Sequence, residues 1–145
     1  MLRDYVEERK VLLNVDAKTY EGTLMKMLDK SVEKEAESIV QKILQREKIM
    51  PTALGKGIFL PRVVLKAKPK SEVIIAVNSH GLSFEDYGMV TASIIMLFLF
   101  SENDNYAALL AQSLRLLTDD SLRSDLIKCR KPKDVIKAIR EWEEE

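Results

Sequence analysis

Two apolar runs in the middle of the chain decide what it can fold into. The first is VIIAV, Val73 to Val77, entered through Glu72; the second is ASIIMLFLF, Ala92 to Phe100. Neither alternates apolar with polar residues as a strand with one wet face does, and both are rich in β-branched or aromatic side chains. Turn-forming residues bound them, with Lys-Pro-Lys-Ser before the first run, Asn-Ser-His-Gly after it and Ser-Glu-Asn-Asp-Asn after the second. Strands that are apolar on both faces belong in a sheet covered by helices on both sides. The longest apolar stretch, Met89 to Phe100, includes Thr91 and Ser93 and falls well short of the roughly 20 residues a membrane-crossing helix needs. Membrane insertion is therefore not expected.

Helical periodicity fills the flanks. DAKTYEGTLMKMLDKSV reads as a first helix with Leu24, Met27 and Leu28 on one face, and Ser31 precedes a second, VEKEAESIVQKILQREKI, that should end near Met50 because Pro51 follows. After the second apolar run, Asp104 or Asn105 is placed to cap YAALLAQSLRLL, with Leu109, Leu110, Leu114 and Leu117 facing inward. Thr118 or Asp119 opens DSLRSDLIKC, and Pro132 opens KDVIKAIREWEEE. Val11 to Val15 reads as a short strand or extended arm. TALGKGIFLPRVVL reads as a tight turn, a short Ile58–Leu60 strand and a break at Pro61. No repeat or Gly/Ser linker divides these pieces, which makes residues 1–145 one domain of the α/β class.

Composition removes several function classes. The 23 Lys+Arg balance 23 Asp+Glu, and zero net charge argues against a general binder of nucleic acid or membrane surfaces. One cysteine and one histidine cannot supply the clustered ligands of a zinc or iron centre, so neither metal nor cofactor is expected. Gly55-Lys56-Gly57 lacks the spacing and the Gly-Lys-Ser/Thr ending of a phosphate-binding P-loop, and no Gly-x-Ser-x-Gly elbow is present. His80 reads as a turn residue in a Gly-flanked loop. Cys129 sits near a helix C-terminus whose dipole opposes its cationic neighbours, and reads as inert. The N-terminus is charged from its third residue and has no apolar run, so a cytoplasmic location is expected. Methionines are core or interface fillers. Met25, Met27 and the Met89 region are the first places to look for a homodimer contact.

One charge asymmetry stands out. Between Lys48 and Ser71 every charged residue is basic: Lys48, Lys56, Arg62, Lys66, Lys68 and Lys70. A glycine turn and a proline break in the same stretch expose backbone N–H groups that, with those cations, would surround an anion. The alternative is a solvated loop balanced by acids elsewhere.

In this segment the sequence resembles the fructose/mannitol-type enzyme IIA domains of the bacterial phosphotransferase system, including the nitrogen-regulatory IIA-like proteins. Their signature runs from an acidic or amide residue through an aliphatic-Gly pair and aliphatic-Ala-aliphatic to Pro-His and a small residue. Glu47, Leu54, Gly55, Ile58, Leu60 and Pro61 fall at those places, while Phe59 stands for the alanine, Arg62 for the histidine and Val63 for the small residue. VLLNVDAKT, EKEAESIVQKILQRE and the stretch from Tyr106 to Ile139 resemble further segments of the family.

The resemblance implies a mixed sheet of four or five strands flanked by helices on both faces. It also implies a site around Pro61 and Arg62, close to the start of the helix at Tyr106. In the family, the histidine after proline accepts a phosphoryl group and passes it on or holds it as a regulatory mark. Arg62 cannot do so, because a guanidinium stays protonated and offers no free lone pair. Tyr106 falls where a second histidine often stands, Arg46 matches an arginine near the phosphorylation site, and Thr52 matches a polar loop position. Three readings follow. The first is a degenerate IIA-like regulatory or docking domain that meets a protein partner, whether the phosphocarrier protein, a permease or a regulator. The second is a module that binds an anion or phosphometabolite between Arg46 and Arg62. The third is an active phosphocarrier with an unconventional acceptor such as His80.

Overall fold

The computed structural model describes residues 1–49, 53, 55–87 and 91–144. Five strands, β1 (Val11–Leu13), β2 (Ile58–Phe59), β3 (Arg62–Leu65), β4 (Glu72–Ser83) and β5 (Thr91–Ser101), form one mixed sheet. The two apolar runs are its centre: β4 and β5 pair antiparallel, with Glu72 opposite Leu99 and Val77 opposite Ile94. β1 runs parallel to β4 on one side, and β2 and β3 run parallel to β5 on the other.

Five helices cover the sheet: α1 (Tyr20–Leu28), α2 (Ala36–Ile49), α3 (Tyr106–Leu117), α4 (Asp120–Lys128) and α5 (Pro132–Glu144). Because side chains alternate along a strand, Val73, Ile75, Ile94, Met96 and Phe98 pack against α3, α4 and α5. Ile74, Ala76, Ile95, Leu97 and Leu99 pack against α1 and α2. That double burial is why neither run shows a polar alternation. Two cores result, and the α/β class with helices on both faces and the five-stranded sheet agree with the expectation.

Several local readings need correction. Ser31 does not cap α2, which starts five residues later; its hydroxyl donates to Glu72 Oε1 at 2.7 Å and accepts from the Glu33 N–H at 2.9 Å. A buried carboxylate outbids the local capping role. Arg62 to Leu65 form a strand where the sequence showed only a break, since parallel pairing with β5 is a tertiary gain invisible to local periodicity. His80 lies in β4, not in a loop. The Asn-Ser-His-Gly signal marks a bulge, in which Asn78 to Gly81 lie opposite Ser93 alone before pairing resumes at Leu82 and Ala92. Met27 is fully buried and is no dimer contact, Met25 is half-buried, and Met89 lies outside the described residues. In α3, Leu116 is fully buried while Leu110 and Leu114 are only partly so.

Candidate functional site

Pro61 lies in the break between β2 and β3, which follow one another along the same edge of β5 in one register. Its carbonyl accepts from the Phe98 N–H at 3.0 Å, and Arg62 then stands opposite Phe98. The Arg62 side chain turns back to donate from Nη1 to the Leu60 carbonyl at 3.2 Å. On the far side of β3, Asn105 starts α3 by accepting the Ala108 N–H on its side-chain oxygen at 3.1 Å. This sets Tyr106 at the first helical position, its ring stacked on Phe100 at 5.2 Å between centroids, and Phe100 stacks in turn on Phe98 at 5.1 Å.

At this sheet edge α2 from one layer and α3 from the other flank β3 and enclose a cleft of about 300 Å³. Arg46 comes from α2, Arg62, Val63 and Val64 from β3, Phe100 from β5, and Tyr106, Ala107 and Leu110 from α3. Among the described lining residues the charged groups are the two guanidiniums. Burial, and after it the like charge of Arg46, pulls the Arg62 guanidinium below its ordinary value, against the opposing pull of Glu47. It stays protonated near neutral pH, as guanidiniums in proteins do. The start of α3 adds the positive end of a helix dipole to the same cleft.

Glu47, next to Arg46, is buried beneath this edge. Its Oε1 accepts the Tyr20 hydroxyl at 3.0 Å and its Oε2 accepts the Tyr87 hydroxyl at 2.9 Å. Burial first, and then the hydrogen bond and charge of Glu47, push the Tyr87 phenol well above its ordinary value. Tyr20, Tyr87, Phe59 and Phe84 form a cluster of rings with centroids 4.9 to 5.7 Å apart, which holds the carboxylate in an aromatic layer.

The structure brings Arg46, Arg62 and Tyr106 together, and Thr52 lies outside the described residues. It does not gather the basic stretch around one anion. Lys68 is buried and paired to Glu72 at 2.7 Å and Glu33 at 3.0 Å. Lys56 reaches Asp120 at 3.6 Å, and Lys70 lies over the Tyr5 ring. Glu33 and Asp120 are distant in sequence and Glu72 stands just past the end of the stretch, which is why the run looked unbalanced. His80 is also remote. Arg62 is opposite Phe98, Phe98 is opposite Val73, and His80 is seven residues further along β4, on the order of 20 Å from the cleft. Sequence reasoning missed the apolar walls, Val64, Phe100 and Leu110, and the tyrosines on Glu47; only the Glu47 motif position pointed toward them.

The chain belongs to the family described as phosphoenolpyruvate-dependent sugar phosphotransferase system, EIIA 2, whose model matches residues 4–142. Its fold is similar to that of the nitrogen regulatory protein IIA-Ntr from Neisseria meningitidis, with a TM-score of 0.80 at 15% identity over 95% of this chain and 98% of that one. It is also similar to IIA mannitol from Escherichia coli, with a TM-score of 0.73 at 24% identity over 92% of this chain and 98% of that one. A third similar structure is the complex of enzyme IIA mannitol and phosphorylated enzyme IIB mannitol from Escherichia coli, with a TM-score of 0.73 at 22% identity over 94% and 97% of the two chains. At these identities the likeness is one of fold. A comparison with curated proteins found no match. Among the described residues no helix is long and apolar enough to cross a membrane.

Proposed function

We propose that this chain is a regulatory IIA-like docking domain that meets a protein of the phosphotransferase system at the Arg46–Arg62–Tyr106 cleft and takes up no phosphoryl group there. The observation that carries the reading is the cleft itself, where Arg46, Arg62 and Tyr106 line one cavity; on our reading of the motif, Arg62 and Tyr106 stand for the family's two histidines. The shape of a phosphoryl-transfer site is kept, and its nucleophile is replaced by a group without a free lone pair. A permanent guanidinium charge also holds the cleft far from the electrostatic state of a phosphorylated IIA domain, so the signal it gives a partner does not toggle. The complex of an Escherichia coli IIA with a phosphorylated IIB supports a protein as the partner. The reading places the domain in a bacterial cytoplasm, where such partners work.

Intact-mass analysis after incubation with phosphoenolpyruvate, enzyme I and the phosphocarrier protein tests this. The wild type is expected to gain no adduct and Arg62→His to gain one phosphoryl group, which shows a working docking face that lacks only its acceptor. A phosphoryl adduct on the wild type overturns the reading, and so does silence from both proteins when a conventional IIA domain in the same mixture is phosphorylated.

A further inference from the structure

We propose that the chain carries a second ligand site, separate from the arginine cleft, that binds a small organic acid through its carboxylate. The site is a cavity of about 260 Å³ between the short helical turns Leu2–Asp4 and Glu8–Lys10 and the segment that joins β3 to β4. It shares no described lining residue with the cleft and does not depend on the docking reading.

Two buried ammonium groups carry the argument. Lys10 and Lys68 both line the cavity, and their side chains are 7% and 1% exposed. An ammonium has three N–H donors, and burial makes an unmet one costly. Lys10 finds Glu7 Oε2 at 3.2 Å and Glu72 Oε2 at 2.7 Å, while Lys68 finds Glu33 Oε2 at 3.0 Å and Glu72 Oε1 at 2.7 Å. Neither has a third acceptor among the described residues. Glu72 has no more to offer, because the Ser31 hydroxyl also donates to its Oε1 and the Val32 N–H to its Oε2. Each lysine therefore keeps one donor beside the cavity. Since the two nitrogens already hold the two oxygens of one carboxylate, their separation suits the two oxygens of another.

Charge points the same way. Arg9 and Lys70 are exposed on the same cavity, so four cations line it against Asp4, Glu7 and Glu72. Asp4 is taken by the Met1 amino group at 3.0 Å. Asp104 does not line the cavity and is held by the Tyr5 hydroxyl and the Ser71 N–H. With Glu33 counted on Lys68, one positive charge remains, and a bound water would satisfy the donors without balancing it. Only Lys68 and Lys70 come from the basic stretch between Lys48 and Ser71, so no run in the sequence announces the site. Val32, Pro69 and the Tyr5 ring add apolar wall. Inorganic phosphate has no use for such a wall, whereas it covers the carbon skeleton of an organic acid.

The test is a titration of isotope-labelled protein at constant ionic strength, followed by amide chemical shifts, with succinate, inorganic phosphate and chloride as separate probes. Succinate is expected to give saturable shifts at Tyr5, Lys10, Ser71 and Glu72 with a dissociation constant of about 1 mM, and chloride none. Lys70→Ala, at an exposed position, is expected to weaken succinate by about threefold or more, and Lys70→Arg to restore it. Unchanged affinity in Lys70→Ala overturns the inference. Phosphate that binds the same amides as tightly as succinate overturns the assignment to an organic acid. Succinate shifts confined to Arg62, Val64 and Tyr106 place the anion in the cleft and overturn it too, as does the absence of saturation by about 50 mM. None of these outcomes touches the docking reading, whose own test is the mass analysis above.

Discussion

The Tyr87 hydroxyl donates to Glu47 Oε2 at 2.9 Å and so ties the loop after β4 to helix α2 beneath the arginine cleft. Glu47 is 6% exposed, and removing a donor from a buried carboxylate leaves part of its desolvation unmet. Tyr87→Phe is expected to cost about 1–3 kcal/mol in urea unfolding at pH 7. The pH dependence follows from the sign. The folded protein holds the Tyr87 phenol above its ordinary value of 10.0, so its contribution is complete below that pH and is lost as pH rises toward the folded value. Wild type should therefore lose more stability than Tyr87→Phe as pH rises above about 10, and the two should run parallel below it. Parallel losses in the two proteins above that pH would contradict this.

A second buried carboxylate governs the acid side. Glu72 Oε2 pairs with Lys10 at 2.7 Å and Oε1 with Lys68 at 2.7 Å, all three side chains being buried. Burial alone would raise its pKa, but the hydrogen bonds from Lys10, Lys68 and Ser31 overcome that and hold it at about 2, below the ordinary 4.5. Its folded value is depressed, so its stabilisation is complete above about pH 4.5 and disappears as pH falls toward 2. Glu72→Gln removes the buried carboxylate that Lys10 and Lys68 share, leaving them only the more exposed Glu7 at 3.2 Å and Glu33 at 3.0 Å, and is expected to cost about 3 kcal/mol near neutral pH. Urea midpoints at pH 6 and pH 3 check both statements, because the variant should show a flatter decline than wild type.

Phe59 is fully buried against Tyr20, Phe84 and Tyr87. Its ring fills the layer that holds Glu47. Phe59→Ala is expected to cost about 3–5 kcal/mol through lost burial and a residual cavity. The aromatic signal in near-ultraviolet circular dichroism should fall with it. A loss below about 1 kcal/mol would show that the ring is not a packing element.

Much of this architecture was legible because the signals were local. The unalternating runs at Val73–Val77 and Ala92–Phe100 announced strands covered on both faces, Pro132 sits at the first position of α5, and Asn105 and Asp119 cap α3 and α4. What escaped depended on partners far along the chain. β3 exists because Arg62 to Leu65 find Phe98 to Ser101, and Ser31 leaves its expected cap for a carboxylate 41 residues away. Lys68 looked like part of an anion-binding run until Glu33, 35 residues earlier, came beside it. The candidate site divides the same way. Its polar residues were named from a motif, but its apolar walls are contributed one or two at a time by β3, β5 and α3, and carry no pattern of their own.

The bulge in β4 makes a last prediction, which separates backbone strain from side-chain crowding. Gly81 has φ +76°, a conformation that disfavours any residue with a Cβ. A Cβ built there would also lie 2.5 Å from Thr91 Cγ2 on the facing strand. Gly81→Ala is expected to cost about 1–3 kcal/mol. Pairing it with Thr91→Ser removes the methyl group in the way but leaves the dihedral strain, so the double variant should recover part of the loss and no more. Complete recovery in urea unfolding would mean that crowding alone fixes glycine at this position. No recovery would mean that the strand pair already yields to the extra carbon, and that the positive φ, which lets four residues pass one, is what the sequence must satisfy with glycine.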